Sequence, residues 1–232
     1  MVKPVEGLSL YANYIEALQE GAVAPLDPQI SNPGDVLAPR MSTQYEVGGK
    51  FYFDPSLFAT LALYRIKRPG EGFEPDGAGG RRFAYLGEQR NQGVELTLNG
   101  EIAPGLRVIT GLAFADAELG TGLEAPGVPE FAANANVEWD VGFLPGLTLN
   151  GRVTHTGEQQ ANAANTLQLE SWTVLDIGAR YVFAAGDAPV TLRLTLDNVT
   201  DEAYWASAFD AFNPALLQGA PRTVKASVSV GF

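Results

Sequence analysis

"TVLDIGARYVFAAGDAPVTLRLTLDN", residues Thr173 to Asn198, decides the fold. In its first run Leu175, Ile177, Ala179 and Tyr181 alternate with Asp176, Gly178 and Arg180. In its second, Val190, Leu192, Leu194 and Leu196 alternate with Thr191, Arg193, Thr195 and Asp197. Successive side chains of a strand point to opposite faces, so each run reads as a strand with one apolar and one polar side. The "AAGDAP" between them, Ala184 to Pro189, supplies the Gly, Asp and Pro that a tight turn demands. The runs are also long. Strands of a soluble sandwich keep to about five or six residues, whereas roughly nine to eleven tilted residues cross a hydrocarbon layer.

Working outward, the same unit returns along the whole chain. Ten strands are expected, at 7–15, 40–53, 56–67, 88–102, 105–118, 129–141, 146–157, 170–184, 189–200 and 221–232. In "GVELTLNG" Val94, Leu96 and Leu98 oppose Glu95, Thr97 and Asn99. The closing "PRTVKASVSVGF" sets Val224, Ala226, Val228, Val230 and Phe232 against Thr223, Lys225, Ser227, Ser229 and Gly231. Short turns stand at Asp54–Ser56, Ala103–Gly105, Phe143–Gly146 and Ala184–Pro189. Long connections rich in Gly, Pro and Asn occupy 16–39, 68–87, 119–128, 158–169 and 201–220. Turns that are short on one side and long on the other are the layout of an outer-membrane barrel. The fold expected is all-β, an antiparallel transmembrane β-barrel meander of about ten strands.

Aromatic residues divide in the same way. Phe51, Tyr52, Phe53, Phe58, Trp139, Phe143, Tyr181, Phe183 and Phe232 fall toward the short turns. Tyr11, Tyr14, Phe83, Tyr85, Trp172, Tyr204 and Trp205 fall toward the long loops. Two such groups match the girdles that sit at the membrane interfaces.

Composition narrows the function. Cysteine is absent, which excludes disulfides and thiolate metal sites. A net charge of -12 argues against nucleic acid as a partner. The single histidine, His155, leaves little for a zinc site or a Ser-His-Asp triad. No phosphate loop, cofactor fingerprint or hydrolase constellation is present, and the chain is not read as an enzyme. No apolar run of about 18 residues would span a bilayer as a helix, and the start, MVKPVEGLSLY, does not read as a signal peptide.

"GLSLYANYIEALQEG", then "LAPRMSTQYEVGGKFYF", "RNQGVELTLNGEIAPGL", "TVLDIGARY", "LDNVTDEAYW" and "GAPRTVKASVSVGF" resemble, in this order, the strand motifs of the TonB-dependent siderophore receptors. The resemblance spans nearly the whole chain. It implies uptake of ferric siderophores across the outer membrane of a Gram-negative bacterium, through a barrel of about 22 strands filled by a plug. The chain would then be the C-terminal portion of that barrel, 1–232 matching its last ten strands. The plug domain and the N-terminal strands are expected outside it. Expected partners are outer-membrane lipid and lipopolysaccharide, the missing strands and plug, TonB acting through the plug, and the barrel assembly machinery. That machinery is expected to read the last strand and its terminal Phe232. The iron would be held by the siderophore, with no cofactor bound by the chain itself. Two other readings stand beside this one: an autonomous ten-stranded barrel acting as a pore or surface enzyme, and a soluble β-sandwich.

Candidate site residues follow from chemistry. Glu95, Asp176, Arg180 and Arg193 sit mid-strand on the polar side, where a charge is tolerable only toward a lumen or a partner. Arg81 and Arg82 offer forked donors for an anionic chelate, or for lipopolysaccharide. Siderophore pockets of the family are lined by aromatics, which makes Tyr204, Trp205, Phe209 and Phe212 ligand candidates, although a girdle position explains Tyr204 and Trp205 equally.

Overall fold

All ten expected strands are present in the computed structural model, which describes residues 1–209 and 215–231. They are β2 (Leu8–Gln19), β3 (Arg40–Asp54), β4 (Leu57–Pro75), β5 (Arg81–Ala103), β6 (Leu106–Glu118), β7 (Phe131–Asp140), β8 (Leu147–Thr156), β11 (Trp172–Ala185), β12 (Ala188–Asp197) and β15 (Thr223–Val230). A short β1 (Val2–Val5) precedes them. Two small ribbons lie in the long loops: β9 (Gln159–Gln160) with β10 (Gln168–Leu169), and β13 (Trp205–Ala208) with β14 (Leu216–Gln218). The main sheet is an uninterrupted antiparallel meander in the order β1-β2-β3-β4-β5-β6-β7-β8-β11-β12-β15. No described residue of β15 pairs with β1 or β2, so the sheet keeps two free edges.

Register carries the two-faced pattern from strand to strand. Leu106, Trp139, Leu149, Ala179, Leu194 and Ala226 are successive cross-strand partners over six strands. One residue further on, Arg107, Glu138, Asn150, Gly178, Thr195 and Lys225 form the neighbouring row. The first row lies on one face of the sheet and the second on the other, because side chains alternate across a strand. Leu61, Leu96 and Leu112 extend the apolar face through β4, β5 and β6. Its large side chains stay open: Leu194 is 56% exposed and Phe114 54%. The most buried hydrophobic clusters lie in the loops, not between layers of the sheet. A soluble protein does not leave an apolar face of this extent uncovered, and hydrocarbon is its natural solvent.

The apolar band has a defined upper limit. Leu63, Val94 and Phe114 stand in line, and two residues nearer the long loops the same face carries Arg65, Gln92 and Asp116, then Lys67, Arg90 and Glu118. Lys67 pairs with Glu88 at 2.7 Å, and Arg90 pairs with Glu118. Aromatic pairs mark the same level: Tyr14 with Tyr45 at 5.0 Å and Phe114 with Phe131 at 4.8 Å between ring centres. Near the turns, Tyr181 stacks on Phe183. Six aromatics depart from the interfacial assignment. Phe83 is buried under a loop, Tyr85 bonds to loop backbone, and Tyr11, Tyr52, Phe58 and Trp172 belong to the polar face, Tyr11 opposite Gly48 and Trp172 in the row of Asp176. Tyr45, Phe114 and Phe131 take those places in the outer girdle.

The turns explain the tight side. The Asp54 carboxylate accepts bonds from the backbone N–H and the hydroxyl of Ser56, both at 2.6 Å, closing the β3–β4 turn. Gly105, at φ +74°, takes the left-handed conformation that the β5–β6 turn requires. The 68–87 connection is where expectation and structure differ most. It is no loose loop, because β4 and β5 continue beyond the membrane band as a hairpin reaching Pro75 and Arg81. Pro69 lacks an N–H, and the ladder absorbs it with a register shift between Pro69 and Glu71. Prolines and glycines hid this strand from an alternation test.

Candidate functional site

The long connections fold into two bodies at one end of the sheet, which touch where Gly120 packs on Leu86 and Gly87. In the first, the 20–39 loop lies on the β4–β5 hairpin. Ala24, Ile30 and Phe83 form its buried centre, with Ala22, Leu37 and Phe73 against them. Asn32 imitates a strand partner: its amide donates to Phe83 O at 3.0 Å and its side-chain oxygen accepts from Phe83 N at 2.9 Å. Ser31 N donates to Arg81 O at 2.8 Å. The Tyr85 hydroxyl accepts from Ala22 N and donates to Ala38 O, both at 3.0 Å.

Arg81 is committed within this body. Its guanidinium reaches Asp27 at 2.8 Å and lies 4.6 Å over the Phe73 ring, where the ring face attracts a cation. The Asp27 carboxyl is held below its ordinary range by the backbone N–H of Gln29 and then by Arg81. Arg82 is exposed and stands opposite Glu74 in register. The two candidate arginines are therefore unlike: one clamps a loop, and the other faces outward.

The second body joins residues 119–130, 157–171, 198–209 and 215–222. Ala161, Leu169 and Ala208 form its buried cluster. Asn165 accepts from Glu124 N at 2.8 Å and donates to Glu124 O at 3.0 Å. Gln159 donates to Ala206 O at 3.2 Å, and Gly127 N to Gln160 O at 2.9 Å. Tyr204 packs flat on Gly219, where a β-carbon would overlap its ring, and its ring centre is 4.4 Å from that of Trp172. Trp205 and Phe209 are exposed, Phe209 at 70%. Phe212 and Phe232 lie outside the described residues. Among the aromatic candidates, Tyr204 serves packing, while Trp205 and Phe209 present open rings.

On the polar face the register brings the four mid-strand charges to one side of the sheet. Asp176, almost fully buried, accepts from Arg152 at 2.8 Å and from Asn198 N at 2.8 Å. Asn198 in turn donates to Glu202 O and Ala220 O, so Asp176 anchors the start of the last long loop to the wall. Arg180 donates to Thr148 Oγ1 at 3.1 Å and stands directly opposite Arg193. Glu95 shares its neighbourhood with Glu46 and Tyr64, a pocket of about 230 Å³ that Ile66 and Asn91 also line. Neither carboxylate has a cation partner among the described residues.

Sequence reasoning missed Glu46, Arg152, Asn32 and Asp27. Glu46 and Arg152 were legible from alternation, each lying on the polar side of an expected strand. Asn32 and Asp27 were not, because their partners come from a hairpin about fifty residues away. His155 also lies on the opposite face from Arg152, with Nδ1 2.8 Å from Thr173 Oγ1 and its ring 5.6 Å from Phe131. Among the described residues no cluster of three or more His, Asp or Glu could hold a metal ion.

Comparison with known proteins agrees with this geometry. The family model described as "TonB dependent receptor-like, beta-barrel" matches residues 1–199. The ferrichrome receptor FcuA of Yersinia enterocolitica is 39% identical over 100% of this chain and 31% of its own length. The ferrichrome outer membrane transporter/phage receptor of Escherichia coli K12 is 29% identical over 97% of this chain and 30% of its own. Among solved structures, BauA, the ferric preacinetobactin receptor of Acinetobacter baumannii, superposes with a TM-score of 0.83 at 36% identity. It covers 99% of this chain, which covers 35% of it. The chain spans about a third of the length of the curated relatives it matches. With its apolar outer face, polar inner face and long loops at one end, the chain is a length of outer-membrane barrel wall and belongs to the TonB-dependent receptor β-barrel family.

Proposed function

We propose that this chain supplies ten wall strands and five extracellular loops to a receptor that imports ferric siderophores in a TonB-dependent manner. One observation carries the reading: a single apolar face runs without interruption across the meander, and all the long loops open at the same end. The wall does no chemistry. Its apolar face meets lipid, its polar face meets a body inside the barrel, and its loops present Arg82, Trp205 and Phe209 to an incoming chelate. In this reading the matched residues correspond to the last ten of about 22 strands. Glu95 and Glu46 would take basic side chains of the plug, since a carboxylate at membrane depth needs a cation or water.

The free edges of β1 and β15 argue in the same direction. Each unpaired backbone group costs several kcal/mol in hydrocarbon, so both edges require further strands. Lipopolysaccharide would meet the charged band of Arg65, Lys67 and Arg90 above the apolar face. Ferrichrome is the first chelate to assay, because two of the relatives are named as ferrichrome receptors. The test is uptake of radiolabelled ferrichrome and of a panel of other ferric chelates by cells carrying the full-length gene. Uptake of one chelate should require both TonB and the 203–219 loop. Undiminished uptake of every transported chelate after replacement of that loop by a short turn, or in cells lacking TonB, would overturn the proposal.

A further inference from the structure

The last long connection is a ribbon with a closed neck. Beyond β12 the chain leaves the wall at Asn198, which is buried and has φ +50°. Its carboxamide donates to Glu202 O at 2.9 Å and to Ala220 O at 3.0 Å, and accepts from Glu202 N at 2.8 Å. One side chain thereby holds the outgoing and the returning arm. Asp201 repeats the closure one step further out: its carboxylate accepts from Arg222 N at 3.1 Å and from the Arg222 guanidinium at 3.3 Å. Tyr204 O then accepts from Gly219 N, Trp205 pairs with Gln218, and Phe209 N donates to Ala215 O. The two arms are linked in series from the wall to Phe209, so they move together.

Asp176 and Trp172 of β11 seat this ribbon, and both lie on the polar face. Asp176 gives Oδ1 to Asn198 N at 2.8 Å and Oδ2 to Arg152. Trp172 carries the Tyr204 ring, 4.4 Å away between centres. The root of the ribbon is therefore set on the inner side of the wall, away from lipid. Further out, Gln159 donates to Ala206 O and Ala208 packs with Ala161 and Leu169, contacts that tie the ribbon to another loop and leave its root to Asp176.

We propose that Asp176 is a positioning residue for chelate capture: by holding Asn198 N it sets the stance of the whole ribbon, and with it the exposed rings of Trp205 and Phe209. The inference deepens the receptor reading given above and rests on it. A stiff ribbon amplifies what happens at its root. The steps from Asp201 to Phe209 extend at most about 26 Å at about 3.3 Å each, so a turn of about 10° at Asn198 carries the outer rings about 4 Å. The two carboxylate oxygens have different tasks. Oδ1 fixes the pivot, and Oδ2 keeps the carboxylate in place through Arg152.

The experiment uses the full-length receptor carrying Asp176→Ala or Asp176→Asn. Asparagine keeps an oxygen for Asn198 N and gives up the charge that Arg152 meets; Arg152 is 56% exposed and turns to water. Amide exchange is read in 199–209 and 215–222 against the middles of β11 and β12. Uptake of radiolabelled ferrichrome, or of the panel chelate that the wild type imports in its place, is read over a range of concentrations. In Asp176→Ala the ribbon should exchange about tenfold faster while the strands stay as they were, because a buried N–H has lost its acceptor. The half-saturating concentration should rise about fivefold at an unchanged maximal rate, as the competent stance falls to about a fifth. Asp176→Asn should restore both. Where the alanine protein does not assemble, Asp176→Glu decides: it keeps the charge, moves the acceptor by one methylene and should raise the half-saturating concentration, and a wild-type value overturns the assignment. Unchanged ribbon exchange in the alanine protein, faster exchange in β11 and β12 as well, an unaltered half-saturating concentration, or an asparagine protein as impaired as the alanine one overturns it too. Uptake of no chelate by the wild type defeats the receptor reading, whereas normal wild-type uptake with any of those results defeats only the role of Asp176.

Discussion

Asn32 shows how much one side chain can hold. It replaces a missing strand by making two hydrogen bonds to the backbone of Phe83, and it is buried. Asn32→Ala removes both, at a cost of about 1–3 kcal/mol for the polar groups left behind. Amide exchange across 22–37 should accelerate, while exchange in β7 and β8 stays as it was; equal protection in both proteins would contradict the role. Asp27 gives the same loop a pH response. Its carboxyl is held below the ordinary aspartate value of 3.8, first by the Gln29 N–H and then by Arg81. A depressed value means that the contribution is fully present above the unfolded value and is lost as pH falls through the folded one. A spin label at Leu26→Cys, unique in this cysteine-free chain, should keep constant mobility down to about pH 5 and gain mobility below about pH 4. Mobility that changes instead around pH 6 would remove Asp27 from the account. Neither residue was legible as functional in the sequence. Arg81 was singled out for its charge, yet what fixes its role is a partner 54 positions earlier that no local pattern reveals.

At the level of strands, legibility was high for a physical reason. Alternation with period two is the only pattern that presents one face to hydrocarbon and the other to polar groups, so "PVTLRLTLDN" could scarcely be anything else. Where that constraint lapses, the signal lapses too. The outer part of the β4–β5 hairpin stands clear of lipid, so "RPGEGFEPDGAGGRR" needs no apolar row and hides a strand behind Pro and Gly. The ribbons β9–β10 and β13–β14 are only two to four residues per strand, too short for any period to show. The two faces can be told apart by charge. Leu194→Arg, on the lipid side of β12, should destabilise the folded receptor in liposomes by about 2–4 kcal/mol, whereas Thr191→Arg on the other side should cost about 1 kcal/mol or less. Urea unfolding of the two variants measures the difference. Equal costs would mean that the apolar row touches protein rather than lipid.

For the whole molecule, the decisive feature is what the sheet leaves undone. Among the described residues, its sequential pairing leaves open the outer sides of β1 and β15 and the stretch of β2 beyond Leu10 that β1 does not reach. In water those edges would be solvated, but in a bilayer they must be paired. A sheet of this size closing on itself would need β15 to swing onto β1 or β2, with tighter curvature at every ladder. The register contains irregularities only at Val2–Val5, Tyr52–Asp54, Pro69–Glu71 and Glu101–Ala103 within the main sheet. These lie at turns, at the edge and in the outer hairpin, not mid-strand where bulges would bend the wall. The chain refolded alone in detergent micelles should therefore give no heat-modifiable, protease-resistant monomer. Refolding it together with the remainder of its receptor should restore one, because the two free edges then find strands. A compact monomer from this chain alone, migrating differently before and after boiling, would show that the ends meet. The wall would then be a small barrel in its own right, and the interior body would lose its place.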